Sequence, residues 1–476
     1  MKRLIKNTFT LILITLLLLT YVPQAVNAQQ AAQSETNIDI SVIQEEQPAQ
    51  APPYGLTSEG AVLMEQGTGK VLYGKQEHRR LYPASTTKIL TALIAAEYGH
   101  LDETVVVGDE IWLATWDGSK AGLEETEEIT LRNLVYGLLI NSGNDAANTI
   151  AVHIARNVSG KDMPAQEALD YFAEMMNKRA KEAGALHSHF ANPHGYHDPE
   201  HYTTAYDLAM IGREALKNEF FREAVCATAM NTTYWVSGEG RFWRSKNKIL
   251  NEKSPEYYPW ATGGKTGYTS AAGQCLITFA SKNSLDLIAV VLKADPSMQW
   301  GETRDLLEYG FSNFKYQNVL KQGEIVESLP VDNYASGDWG SMAVQLSSED
   351  WGDVFRKEDI PEIKREIVWE PSVLSEKATE ALPRLAAPIS RGQKIGELKV
   401  TLRGQVLTST PLVAVRDVKS RAFLDILPGE AAKEGSFRLN WAVFAAFILS
   451  AFILLKAAVF LINRRRRRHY TMYRRF

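Results

Sequence analysis

From Gly60 the chain alternates short apolar runs with turn residues. Ala61-Val62-Leu63-Met64-Glu65 and Lys70-Val71-Leu72-Tyr73 flank Gln66-Gly67-Thr68-Gly69, a pattern that predicts a β-hairpin. The period then lengthens. Ile89, Leu90, Leu93 and Ile94 recur at helical spacing, Pro83 stands where a first helical turn tolerates it, and Gly99 can end the run. A buried helix is expected. Residues 130–156 and 164–186 read as further helices, the first rich in Leu, Ala and Ile, the second amphipathic through Leu169, Phe172, Met176 and Ala180. Strands return at residues 273–279 and 285–292, and a helix at 302–309. This order of strands, helices and strands implies one α/β domain whose sheet is built from both ends of the segment. After about Lys315 the runs shorten and alternate, as in Glu324-Ile325-Val326 and Leu398-Lys399-Val400-Thr401-Leu402, which predicts a small all-β domain.

The ends of the chain follow other rules. Met1-Lys2-Arg3, the apolar run Leu11 to Leu19 and the small residues at Val26-Asn27-Ala28 read as a secretory signal peptide over residues 1–28, with a retained anchor as the alternative reading. Residues 29–53, rich in Gln, Glu, Ala and Pro, read as a flexible spacer. The layout expected from there is a first domain at 54–315, an all-β domain at 316–430, a linker at 431–440, a transmembrane helix at 441–462 and a basic cytoplasmic tail at 463–476. The spanning reading rests on the apolar stretch Trp441 to Ile462 followed at once by Arg464 to Arg468, as at a cytoplasmic boundary. It places the chain in the cell membrane as a single-pass protein with its main domain extracytoplasmic and its C-terminus cytoplasmic. Lys456 is the one misfit, and an amphipathic surface helix is the alternative.

Composition narrows the function classes. With 476 residues, 45% of them hydrophobic, the chain can form two or three cores. The net charge of -4 hides an acidic start and a basic end, but the only dense basic run abuts an apolar segment, so no nucleic-acid partner is expected. Cys226 and Cys275 are the only cysteines. A disulfide is allowed in an exported chain, and a buried free thiol at Cys275 is the other reading.

Candidate chemistry starts at the first helix. Ser85 and Lys88 are three residues apart, which puts a hydroxyl and an amine on one helical face with the serine near the positive end of the dipole. Alone, the pair is a weak signal. Ser245/Lys248 and Ser312/Lys315 have the same spacing without opening a long apolar helix. A helix-cap serine is the plainer reading. Ser142-Gly143-Asn144 follows the apolar run Leu134 to Ile140, where one helix gives way to another, and Lys265-Thr266-Gly267 precedes a predicted strand. Either tripeptide can be an ordinary turn. Their order is what matters: Ser-x-x-Lys, Ser-x-Asn, Lys-Thr-Gly is the motif set shared by penicillin-binding proteins and serine β-lactamases.

More widely, the chain resembles the low-molecular-mass, serine-type D-alanyl-D-alanine carboxypeptidases. The matching stretches are Ala84 to Lys88, Tyr136 to Ala147, Asn192 to Gly195, His201 to Ala209, Asn247 to Leu250, Gly263 to Thr269 and Ala387 to Gln393. The resemblance implies an α/β (α+β) catalytic domain of the penicillin-binding/serine β-lactamase type, a smaller all-β C-terminal domain and a C-terminal transmembrane helix. It implies hydrolysis of the terminal D-alanine of peptidoglycan pentapeptides through an acyl-enzyme on Ser85, with β-lactams as covalent inhibitors and the membrane as a partner. Lys88 would be the base, Ser142 a proton relay, and Asn144 the group that orients Lys88 and holds the substrate amide. Lys265 and Thr266 would bind the terminal carboxylate, with Arg304 as a looser match, and the N–H groups of Ser85 and of Tyr268, just after Gly267, would form the oxyanion hole. The family usually has Gly-Gly-Ser where this chain has Asp117-Gly118-Ser119, a departure in the substrate side wall.

Rival readings stay open at this stage. His187, His189, His194, His197 and His201 crowd one loop, but neither His-Glu-x-x-His nor a Cys cluster accompanies them, so no metal and no cofactor is expected. A β-lactamase would add a glutamate between the second and third motifs, and no Glu-x-x-Leu-Asn stands there. A non-catalytic penicillin sensor or wall-binding protein is the alternative from outside enzymology.

Overall fold

A computed structural model of the chain describes residues 55–232 and 240–421, together with Lys456. A five-stranded antiparallel sheet organises the first domain, with strands Val71–Lys75, Gly60–Glu65, Leu285–Ala294, Gly273–Lys282 and Ala261–Thr269 in that spatial order. The N-terminal hairpin thus pairs with the C-terminal strands, and the sheet is assembled from both ends of the segment. Period-two alternation sends Val62, Met64, Ile277, Phe279, Ile288 and Val290 into one core. Ala61, Leu63, Leu276, Leu287, Ala289 and Val291 point into the other. Because both faces are covered, these strands read as unbroken apolar runs.

The larger core is helical. Helix Lys88–Tyr98 lies at its centre, with every residue from Lys88 to Ala95 buried. Around it stand helices Leu131–Ile140, Asn144–Ser159, Ala165–Glu182, Ala205–Ala215 and Glu219–Cys226. On the opposite face of the sheet lies helix Met298–Asn313, longer at both ends than the periodicity predicts. The helical stretch over residues 130–156 changes helix at Asn141-Ser142-Gly143, as expected, and Ser142 takes the left-handed conformation there at φ +59. Neither Cys226 nor Cys275 forms a disulfide; the first is exposed and the second buried.

One strand escapes the apolar pattern. Lys265-Thr266-Gly267 precedes the strand Gly273–Lys282 as expected, but it also lies inside a strand of its own, Ala261–Thr269, at the sheet edge. Its glycines dilute the β signal, yet at Gly267 a Cβ would stand 2.8 Å from the Pro83 carbonyl and 3.1 Å from the Ser85 nitrogen. Only glycine lets this strand touch the turn that carries Ser85.

The second domain has its own core, built from Leu329, Val344, Leu398, Val400 and Leu412 among others. It contains a six-stranded sheet, including Ile325–Asp332, Ser341–Leu346, Ile363–Trp369, Lys394–Leu402 and Gln405–Ala414, and a two-stranded sheet of Phe314–Leu320 with Trp351–Arg356.

The membrane expectation is corrected. Among the described residues no helix is long and apolar enough to cross a membrane. The longest described helix, Ala165–Glu182, has 18 residues and an exposed polar face. Stretch 441–462 lies outside the described residues except for Lys456, which is helical and exposed. An ammonium within an apolar stretch is the feature that opposes burial in hydrocarbon. The single-pass location with a cytoplasmic C-terminus, and the membrane as a partner, are therefore not retained. The stretches read as signal peptide, spacer, linker and basic tail also lie outside the described residues.

Candidate active site

Ser85 does not sit in the α-helix proper. Ala84–Thr87 form a turn of 3-10 helix that leads into the α-helix at Lys88. In a 3-10 turn, side chains at i and i+3 eclipse, so this entry places Ser85 directly over Lys88. Their Oγ and Nζ atoms are 2.9 Å apart. Ala84 just before the serine has φ +48, and Ser142 across the site has φ +59. Each left-handed non-glycine residue costs about 1–2 kcal/mol, so strain is held at both hydroxyls by the packing around them.

Lys88 is wholly buried and has three partners. Besides Ser85 it donates to Asn144 Oδ1 at 2.8 Å and to the carbonyl of His194 at 2.7 Å. Burial drives its pKa well below the usual lysine value; the charge of Lys265 adds to this, and Asp145 opposes it. Lys265 is also buried, and donates to Ser142 Oγ at 3.0 Å and to the Thr266 carbonyl at 2.9 Å. Its own burial, followed by the charge of Lys246, brings it down to about 7. Lys265 and Lys88 are like charges in one buried site, and each disfavours protonation of the other.

The neighbouring loops are tied to this pair. Asp145, at the start of helix Asn144–Ser159, accepts from the backbone N–H groups of Ala121, Gly122, Leu123 and Ala146 at 2.7–3.1 Å. Asn144 donates its own N–H to the Ser119 carbonyl at 2.8 Å, so the stretch 117–123 is held beside Ser142. On the other side Thr91 Oγ1 donates to the Pro193 carbonyl at 2.6 Å, which anchors the Asn192–Gly195 turn on the helix. Of the five crowded histidines, His194 and His201 are buried. His201 Nδ1 accepts from Ala191 N–H, its Nε2 meets Thr87 Oγ1 at 2.8 Å, and burial lowers its pKa to about 3. These two rings are neutral parts of the scaffold. Among the described residues no three His, Cys, Asp or Glu side chains are grouped to hold a metal ion.

A cavity of about 560 Å³ opens in front of these groups, lined by Ser85, Ser142, Asn144, Lys265, Thr266, Gly267 and Tyr268. Lys88 lies behind its wall. Arg304 does not line it: its guanidinium pairs with Glu256 at 3.1 Å. Asp117, Gly118 and Ser119 also line the cavity, in the side wall where the sequence put them, and so do Tyr196, Lys246, Asn247, Gln274, Gln299 and Trp300, to which the sequence assigned no role. The run Asn247 to Leu250, which carried part of the resemblance, was the one available hint for the Lys246–Asn247 wall.

The profile of the D-alanyl-D-alanine carboxypeptidase family (Peptidase_S11) matches residues 45–296, more than half of the chain. The chain belongs to the D-alanyl-D-alanine carboxypeptidase family. A second profile, penicillin-binding protein 5, C-terminal domain, matches residues 314–420. Among curated relatives, the D-alanyl-D-alanine carboxypeptidase DacF of Bacillus subtilis is 31% identical over 381 residues, covering 78% of this chain and 88% of that relative. DacD of Escherichia coli is 31% identical over 369 residues, covering 75% and 86%. Among solved structures, penicillin binding protein 5 of Haemophilus influenzae aligns with a TM-score of 0.58 at 27% identity, over 78% of this chain and all of that one. The family membership makes the protein a serine-type DD-carboxypeptidase that acts on peptidoglycan.

Proposed function

We propose that the protein releases the terminal D-alanine of peptidoglycan pentapeptides through an acyl-enzyme on Ser85, with Lys88 as the base, and that β-lactams acylate the same oxygen. The observation that carries this reading is the set of partners around Lys88. Asn144 Oδ1 and the His194 carbonyl can only accept, so they take both N–H groups of a neutral amine. The remaining lone pair faces the third partner, Ser85 Oγ, the only one of the three that carries a proton to give.

In the acylation step the Ser85 proton passes to Lys88 Nζ as Oγ bonds to the carbonyl carbon of the penultimate D-alanine. The N–H groups of Ser85 and Tyr268 receive the oxyanion, the strand Ala261–Thr269 lying against the serine turn. The C–N bond then breaks as Ser142, bonded to Lys265, gives its proton to the leaving amine and takes in exchange the proton held on Lys88, which is neutral again. Water attacks the ester in the second half; Lys88 takes its proton and returns it to Ser85 Oγ as the ester C–O bond breaks. Lys265 and Thr266 bind the carboxylate of the departing D-alanine. Asp117 and Tyr196, joined by a 3.4 Å hydrogen bond from the tyrosine hydroxyl, stand in the side wall.

The test is to label the full chain with a penicillin and map the modified peptide. The expected adduct is on Ser85, absent in Ser85→Ala, with D-alanine released from a pentapeptide by the native chain alone. An adduct at another residue would overturn the assignment.

The pH profile has a defined sign. Lys265 is charged below about 7, so carboxylate binding to the free enzyme weakens as pH rises through that value. We expect kcat/KM to fall on that alkaline limb, and the limb in kcat to lie higher, because a bound carboxylate stabilises the ammonium. A kcat/KM that stays flat through this range would remove Lys265 as a carboxylate ligand.

A further inference from the structure

The second cation of the substrate site is not where the sequence places it. A carboxylate has two oxygens, and one lysine with one hydroxyl leaves acceptor capacity to spare. Arg304, the expected supplement, is turned to Glu256 and stands outside the cavity. One residue on the cavity wall has what Arg304 lacks. Lys246 is exposed there, and no carboxylate pairs with it among the described residues. Its charge acts on Lys265. Asn247 is buried at 4% exposure, with its Oδ1 accepting from Ile249 N–H at 3.3 Å. That bond fixes the amide orientation and directs Nδ2 to the strand Ala261–Thr269, where it would lie 3.2 Å from a Cβ on Gly264, the residue before Lys265. Nδ2 has no partner among the described residues.

The Asn247 Nδ2 is closed off against that strand, so the wall presents three donors to the cavity: the ammonium of Lys246, the ammonium of Lys265 and the hydroxyl of Thr266. The only acidic side chain lining the cavity, Asp117, is engaged with Tyr196. A carboxylate is the group that would satisfy several such donors at once. We infer that Lys246 is a specificity-determining residue that, with Lys265 and Thr266, binds the carboxylate of the terminal D-alanine, taking the place expected of Arg304. The inference rests on the Lys265–Thr266 reading of the site and extends it.

Two carboxylate-bearing probes and one neutral probe test it on the full chain. Lys246→Gln should raise KM for an N-acylated D-alanyl-D-alanine peptide roughly tenfold with kcat changed less than about twofold, the size of one charge-assisted hydrogen bond to a carboxylate. Acylation by a penicillin should slow by a similar factor. Acylation by the methyl ester of that penicillin, which lacks the charge, should be the same in the native chain and in Lys246→Gln. Lys246→Arg should restore most of the loss. Arg304→Gln should leave all three rates unchanged. Equal losses for acid and ester, or an unchanged KM in Lys246→Gln, would overturn the inference. Labelling of Ser85 in every variant separates that outcome from a failure of the nucleophile assignment, in which the native chain itself would be unlabelled there.

Discussion

Lys88→Met leaves a folded protein that acylates at least a hundredfold more slowly, and up to about ten-thousandfold, the range lost with a positioned general base. Methionine fills a similar volume without an amine, so the helix Lys88–Tyr98 keeps its packing in the larger core. The Ser85 hydroxyl loses the only lone pair 2.9 Å from it that could take its proton. Asn144 Oδ1 and the His194 carbonyl lose their donor, but the cost of burying an amine is also removed. Stopped-flow acylation by a fluorescent penicillin measures the rate, and thermal unfolding checks the fold. Acylation at the native rate with Met at position 88 would exclude Lys88 as the base.

Gly195→Ala is expected to damage both stability and acylation, although residue 195 contributes no side chain. Its φ of +81 is unfavourable for alanine, and a Cβ there would lie 1.9 Å from the Ala84 carbonyl oxygen and 2.7 Å from Thr87 Oγ1. The obstructing atom is backbone, so the Asn192–Gly195 turn or the Ser85 turn must move. Movement of the turn displaces the His194 carbonyl that accepts from Lys88. Movement of the other displaces the nucleophile. We expect a loss of about 3 kcal/mol or more in chemical denaturation and acylation slowed by at least tenfold. Gly160→Ala is the matched control, since Gly160 has φ +65 but nothing within 4 Å of the added carbon. It should lose about 1 kcal/mol and acylate normally. Equal behaviour of the two variants would show that backbone strain alone, and not the contact with Ala84, governs position 195.

The three motifs were legible because their chemistry is local. Ser85 and Lys88 meet through the geometry of one turn, and Ser142 with Asn144 through the break between two helices. Apolar patterning likewise indicated the hairpin, the Lys88 helix and the strands at 273–279 and 285–292, whose side chains alternate between two cores. The strand Ala261–Thr269 was not legible as a strand. Its glycines answer to the Pro83 and Ser85 backbone, far away in sequence, and local propensity has no term for that contact. Nor could spacing tell Arg304 from Lys246. Both are cations near a motif, and only the packing shows that one meets Glu256 while the other lines the cavity with no carboxylate partner among the described residues.

By itself the sequence determined the candidate reacting residues, since two hydroxyls, two amines and an amide stand in a fixed order. Tertiary structure decided the state in which they stand in the proposed site. Protonation of Lys88 depends on burial, on the charge of Lys265 and on acceptors supplied by Asn144 and His194, residues 56 and 106 positions away. Desolvation and Coulomb interaction act through distance in space, and a linear order of residues does not contain that distance.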